Sequence, residues 1–273
     1  MFHTVAVQLP GFTESTFTHD GITRPVYAGG SGPAVIVIHE IPGLHPQVVA
    51  FAQRVVDAGF SVRMPSLFGT PGREVTVGYT IGTLAKACVA KEFTAFALDR
   101  TSPVIGWLRR LAAVAHEECG GPGVGAVGMC FTGGFALGMM VDDTMLAPVL
   151  SQPSLPFPVS ASRRRSVGIS DADLARVKER AAQGACLLGL RFTDDRAVPE
   201  ARFDTLRREL GDAFIAVEID SSKGNPHGIS RTAHSVLTQH FVDEPGHPTR
   251  EALDRVLAFF AERLTPPASS TRQ

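Results

Sequence analysis

Val124-Gly125-Ala126-Val127-Gly128-Met129-Cys130-Phe131-Thr132-Gly133-Gly134 decides how the rest of the chain is read. The apolar start predicts a short buried strand and the glycines a tight turn. Phe135-Ala136-Leu137-Gly138-Met139-Met140 predicts a helix just after it. Cys130 stands at the turn, with Gly128 two residues before it and Gly133 three after. This is the G-x-S-x-G spacing of a nucleophile elbow with cysteine in the serine place. The turn is strained, and small flanking residues let strand and helix backbones pass closely. A helix beginning beside Cys130 would supply N–H groups and a positive field, both of which favour a thiolate. Alone, the spacing fits a glycine-rich turn around an inert thiol equally well; its partners along the chain favour the catalytic reading.

Working outward, Ala34 to His39 is a continuous apolar run, as expected for a strand buried on both faces, and it ends at Glu40-Ile41-Pro42-Gly43. Helical spacing follows from Gln47 to Ala58, then a short strand from Phe60 to Met64 and a Gly- and Pro-rich loop from Pro65 to Gly72. Thr4–Leu9 and Thr23–Ala28 alternate apolar and polar around a turn at Asp20-Gly21, which predicts an antiparallel start to the sheet. Helices are expected over Ile81–Leu98, Ser102–Cys119, Pro199–Leu210 and Thr249–Leu264. Strands are expected over Met145–Leu150, Ala185–Phe192 and Ala213–Ile219. Between Ser151 and Gln183 the pattern breaks: Pro153, Pro156, Pro158 and the run Arg163-Arg164-Arg165 precede a capping signal at Ser170 and a helix to Ala182. This segment, about 151–183, reads as an insertion that lies over the active-site end or runs out as a solvated excursion. From about Thr265 the chain reads as a frayed tail. The alternation predicts a mostly parallel sheet covered by helices on both faces, an α/β fold.

A chain of 273 residues with 44% hydrophobic content suits one large α/β domain. A net charge of −1 gives no electrostatic case for nucleic acid or an anionic membrane. The N-terminus has no basic and then apolar leader, and no stretch approaches a membrane span. The four cysteines form no C-x-x-C and read as reduced thiols of a cytoplasmic protein. Neither a cofactor nor a metal is expected, and the oligomeric state is open.

A cysteine nucleophile needs a base and a group to orient that base. Downstream, Asp194 and Asp195 stand at a strand end, and His227, His234, His240 and His247 are candidate bases. Nucleophile, acid, histidine is the chain order of α/β-hydrolases.

With these pieces the chain resembles the dienelactone hydrolase family, α/β-hydrolases with a Cys-Asp-His triad. Gly128-Met129-Cys130-Phe131-Thr132-Gly133-Gly134 is similar to that family's G-x-C-x-G-G elbow, and Glu40-Ile41-Pro42-Gly43 to its E-x-x-G turn. Asp195-Arg196-Ala197-Val198-Pro199 is similar to its D-x-x-V-P segment, and Ala233-His234-Ser235 to its histidine site. The resemblance implies an α/β-hydrolase fold and cleavage of a small ester or lactone through an acyl-enzyme. It selects Cys130, Asp195 and His234 as the triad, and Glu40 as a gate that pairs with the resting thiol and takes its proton when substrate binds. It also implies an oxyanion hole from the backbone N–H groups of Ile41 and Phe131. One departure stands out: the family carries a substrate-binding arginine four residues after the histidine, and here that residue is Thr238. A less anionic substrate is therefore expected unless Arg73, Arg231 or the Arg163–Arg165 run replaces it. A thioesterase or acyl-transfer enzyme of the same fold, and a non-catalytic binding protein, are the alternatives. A glutaminase-type amidotransferase would need a His-x-Glu downstream of the cysteine, and the chain has that spacing only upstream, at His116-Glu117-Glu118.

Overall fold

The computed structural model describes residues 8–93 and 100–265. Its first two strands, β1 (Thr13–His19) and β2 (Ile22–Gly29), form a hairpin closed by Asp20 and Gly21, both with positive φ. A two-residue turn of that kind joins strands that abut it directly. The partner of β2 is therefore Thr13–His19 and not the earlier Thr4–Leu9 segment. Residues 4–7 lie outside the described residues, and Gln8 and Leu9 are in no strand.

The remaining elements alternate. They are β3 (Ala34–Ile38), α1 (Pro46–Asp57), β4 (Ser61–Pro65), α2 (Val77–Val89), α3 (Pro103–Cys119), β5 (Val124–Met129), α4 (Phe135–Met139) and β6 (Met145–Ser151). Then come α5 (Ala161–Arg165), α6 (Asp171–Ala182), β7 (Leu187–Phe192), α7 (Glu200–Leu210), β8 (Phe214–Ile219) and α8 (Pro248–Leu264). Helix α2 begins four residues before Ile81 and ends at Val89; residues 94–98 of the expected helix, and the tail beyond 265, lie outside the described residues. The eight strands form one sheet in the order β1-β2-β4-β3-β5-β6-β7-β8, parallel from β4 to β8.

The two-sided burial of β3 and β5 explains their unbroken apolar runs. Ile36, Ile38 and Ala126 face one core with Leu108 and Leu111 of α3 and Phe135 and Leu137 of α4. Val35, Val37 and Val127 face the other, with Phe51 and Val55 of α1 and Val256, Phe259 and Phe260 of α8. Each such side chain contributes about 1.5–3 kcal/mol on burial, so these strands anchor the sheet. Chain order reverses between β3 and β5: one connection leads out to β4, the other direction to β6. A crevice opens at the carboxyl ends of strands at such a switch point. Glu40 follows β3 and Cys130 follows β5, so both arrive there. No helix among the described residues is long and apolar enough to cross a membrane.

The segment after β6 is pinned from below by one side chain. Arg202 of α7 is 1% exposed, and its guanidinium donates to the carbonyls of Pro153 (2.5 Å), Pro156 (2.6 Å), Ser166 (2.8 Å) and Arg163 (3.1 Å). Burial pulls its pKa down to about 10, which still leaves it charged at neutral pH. Hydrogen bonds to a charged donor are each worth about 1.5–3 kcal/mol net. Arg202→Ala should therefore lose on the order of 3 kcal/mol in urea unfolding, with Arg202→Lys recovering only part. A wild-type midpoint would mean that the 153–166 segment is held by other contacts.

Candidate active site

The elbow is built by sterics first. Cys130 has φ 53°, in the left-handed region that costs a non-glycine residue of order 1–3 kcal/mol. A Cβ at Gly128 would overlap the Thr132 carbonyl oxygen, and one at Gly133 would lie 2.5 Å from Pro153 Cα and 2.8 Å from Ser151 O. Both positions must be glycine for the turn to close. Thr132, which no sequence motif singled out, ties the elbow to the end of β3. Its hydroxyl lies 3.0 Å from the Ile38 carbonyl and 3.1 Å from that of His39, and it accepts the Met129 N–H at 3.1 Å. The helix expected beside the sulfur is present where the sequence places it. Cys130–Thr132 form a single 3-10 turn, and α4 has only five residues. Packing is tight here: a Cβ at Gly138 would lie 2.8 Å from Ile105 of α3, and α4 is buried throughout.

Asp195 and His234 come together across the ends of β7 and the loop after β8. His234 Nδ1 lies 2.6 Å from Asp195 Oδ2, and Asp195 Oδ1 accepts the Ala197 N–H at 2.9 Å. Asp194 is instead bound to Arg231 at 2.6 Å. Asp195 takes Nδ1 of His234, and Cys130 lies close enough to the ring to interact with it electrostatically. Burial alone would lower the His234 pKa. The charge of Cys130 and the hydrogen bond to Asp195 outweigh it and hold the imidazole well above its ordinary value. Of the other candidate bases, His227 and His247 pack edge to face on one another. His240 holds the base loop: its Nδ1 accepts the N–H groups of His234 (3.3 Å) and Ser235 (3.2 Å).

Glu40 reaches the same crevice with a different set of partners from the one the resemblance implies. It is 1% exposed. Its Oε1 receives His45 Nε2 at 3.1 Å and the Thr238 hydroxyl; its Oε2 receives the Ser235 hydroxyl at 2.7 Å and Gln152 Nε2 at 3.2 Å. Among the described residues none of its hydrogen bonds goes to Cys130. Burial pushes the Glu40 carboxyl up, but His45 and the two hydroxyls outweigh that and hold it below its ordinary value. Thr238 is thus a buried ligand of Glu40 and leaves no opening toward substrate. The Cys130 sulfur has a neighbour that the sequence did not flag, Ser154, whose Oγ is 3.7 Å away and whose N–H donates to the Cys130 carbonyl. Ser154, Gln152 and His45 carry no recognisable motif, and only their meeting in space gives them a role.

The amides of Ile41 and Phe131 have no hydrogen-bond partner among the described residues. Behind them, His39 is fixed as a neutral ring. Its Nδ1 donates to the Glu40 carbonyl at 3.0 Å, its Nε2 accepts the Leu67 N–H at 2.9 Å, and burial pushes its pKa down to about 4. Phe131 sits in a cluster of edge-to-face rings with Phe68, Phe93 and Phe157. On the other side of His234 a cleft of about 520 Å³ is lined by Asp194, Asp195, Arg196, Ala197, Arg231 and Thr232.

A cysteine at an elbow after β5, an aspartate after β7 and a histidine beyond the last strand, on this sheet, define an α/β-hydrolase. The chain belongs to the dienelactone hydrolase family, whose model matches residues 22–264. That membership makes it an ester or lactone hydrolase. Comparison with curated proteins found no match. Among solved structures, a protein from Klebsiella pneumoniae subsp. pneumoniae MGH 78578 assigned as a dienelactone hydrolase is similar, with TM-score 0.63 and 19% identity over 92% of this chain and 98% of that one. The dienelactone hydrolase of Anabaena variabilis ATCC 29413 aligns with TM-score 0.56 and 17% identity, over 93% and 99%. A dienelactone hydrolase-like promiscuous phosphotriesterase from metagenomic libraries aligns with TM-score 0.58 and 17% identity, over 93% and 98%.

The two neighbouring aspartates should separate cleanly in kinetics. Asp195→Asn would put the wrong tautomer on His234, and kcat for ester hydrolysis should fall by about 10⁴-fold, as for the equivalent change in a serine triad. Asp194→Asn should stay within about tenfold of wild type, because it removes only the half-exposed pair with Arg231. Equal losses would contradict the assignment.

Proposed function

We propose that this protein is a cysteine-dependent hydrolase of carboxylic esters or lactones, acting on a small neutral substrate in the cytoplasm without a cofactor. One observation carries the reading: Cys130, held at φ 53° where β5 ends, lies within electrostatic reach of His234, whose Nδ1 is bonded to Asp195 at 2.6 Å. In this reading the Cys130 sulfur attacks the acyl carbon. The charge that develops on the carbonyl oxygen meets the amides of Ile41 and Phe131, each such donor being worth about 2.7–4 kcal/mol. His234 takes the thiol proton of Cys130, gives it to the departing alcohol oxygen, then takes one from the water that cleaves the thioester and returns it to the freed sulfur. The preference for a neutral substrate follows from Thr238. The position that would carry a cation carries a hydroxyl committed to Glu40, and the wall beyond Phe131 is phenylalanine. The free state of all four cysteines supports a reducing compartment.

The nucleophile is the point to test. Cys130→Ala should keep the wild-type circular dichroism spectrum and reduce turnover of an aryl ester to background. A slowly deacylated ester should leave its acyl mass on the peptide that contains Cys130. Ser154 is close enough to be the rival. An acyl mass on Ser154 or Ser151, or full activity in Cys130→Ala, would overturn the reading.

A further inference from the structure

We infer that the cleft beside His234 holds the alcohol part of the substrate, and that this alcohol is a small neutral polyol, with glycerol as the simplest case, esterified to an apolar acyl group. The inference rests on the reading of Cys130 as nucleophile and names the substrate class for that same site.

The first ground is the order of strands. At the carboxyl ends of the sheet Cys130 follows β5. Phe68 follows β4, two strands away on one side. Asp194, Asp195 and Arg196 follow β7, two strands away on the other, and Arg231, Thr232 and His234 follow β8 beyond them. The chemistry decides which end of an ester goes where. When the acyl–oxygen bond breaks, its electron pair goes to the alcohol oxygen, and His234 gives that oxygen a proton. The alcohol must therefore lie within reach of His234. The acyl group stays on Cys130 and is left the opposite side. There Phe68, half-buried, packs edge to face on His39 at 4.5 Å and on Phe131, the residue after the nucleophile, at 5.7 Å. That side is apolar.

The second ground is the lining of the cleft. Its volume of about 520 Å³ lies within the range of about 300–1,000 Å³ usual for small-molecule sites. The His234 side chain, 24% exposed, forms part of its wall. Two aspartates and two arginines line it, so neither carboxylate nor guanidinium is in excess. A cleft with only cations would select an anion. A balanced one offers donors and acceptors together, and a hydroxyl uses both at once. Asp195 is committed to His234. Asp194 Oδ2 accepts from Arg231 Nε at 2.6 Å, which leaves Asp194 Oδ1 and the terminal nitrogens of Arg231 without a partner among the described residues. The Arg196 guanidinium makes no hydrogen bond or ion pair among the described residues either. Thr232 adds a hydroxyl, and Ala197 an apolar face for the C–H groups of a polyol. An alkyl alcohol would take water from these groups and return no hydrogen bond.

The test compares 1-butanoylglycerol, ethyl butanoate and butanoyloxyacetate as substrates of the intact enzyme. All three place the same butanoyl group on Cys130, so differences in kcat/KM arise on the alcohol side. The glycerol ester should exceed the ethyl ester by at least about tenfold in the wild type. Arg231→Met and Arg196→Met should each cut that ratio at least about threefold, and comparing ratios between variants cancels the intrinsic reactivities of the two alcohols. On the acyl side, 1-succinylglycerol should be a poorer substrate than 1-butanoylglycerol. The inference is overturned by a wild-type ratio within about twofold of unity, by a ratio that neither variant changes, by preference for the anionic butanoyloxyacetate, or by preference for the succinyl ester. A butanoyl mass on Cys130 with any of these results would leave the nucleophile standing and sink only this inference. No butanoyl mass on Cys130 from any of the esters would sink the nucleophile, and this inference with it.

Discussion

A single buried carboxylate holds three loops in register. Glu40 continues β3 into the turn that presents the Ile41 amide. Through Gln152 it binds the segment after β6, and through Ser235 and Thr238 it binds the loop that carries His234. A charge so buried is tolerated only when its lone pairs are filled, and here each oxygen has two donors. The constraint acts in both directions: the carboxylate needs the loops and the loops share the carboxylate, with Gln152 Oε1 also accepting the Val236 N–H at 3.3 Å. Packing supplies the frame beneath it, since β3 and β5 are pinned by cores on both faces. Arg202 then holds the 153–166 segment from the opposite side, an anion and a cation each binding backbone or side-chain dipoles in place of each other.

Much of this frame was legible in the sequence, and physics says which parts. Strands buried on both faces are largely apolar, so 34–38 and 124–129 stood out as unbroken runs and 187–192 as a run broken only by Arg191, which pairs with Glu218. The elbow was legible because its geometry admits only glycine at 128 and 133. The first strand was misplaced because alternation alone does not fix register, while the Asp20-Gly21 turn does. The elbow helix was legible as the apolar run directly after the glycines. The partners of Glu40 were not legible at all. They come from positions 45, 152, 235 and 238, and small polar residues scattered so widely leave no periodic trace. Thr238 shows the limit most directly: read along the chain it is a missing arginine, and read in space it is a hydroxyl on the central carboxylate.

The arrangement also separates two tasks that one residue could have shared. Asp195 is devoted to the far side of His234, and Glu40 to the loops around it. Rigid support of this kind keeps groups within the narrow geometry that catalysis needs.

The most direct measurement is amide hydrogen exchange on Glu40→Ala. Removing the carboxylate leaves four buried donors without an acceptor. Exchange should rise sharply in peptides covering 232–241 and 151–155 and stay at wild-type rates in β3, β5 and α8. Unchanged protection across the 232–241 loop would show that the histidine is positioned without Glu40 and would contradict the account.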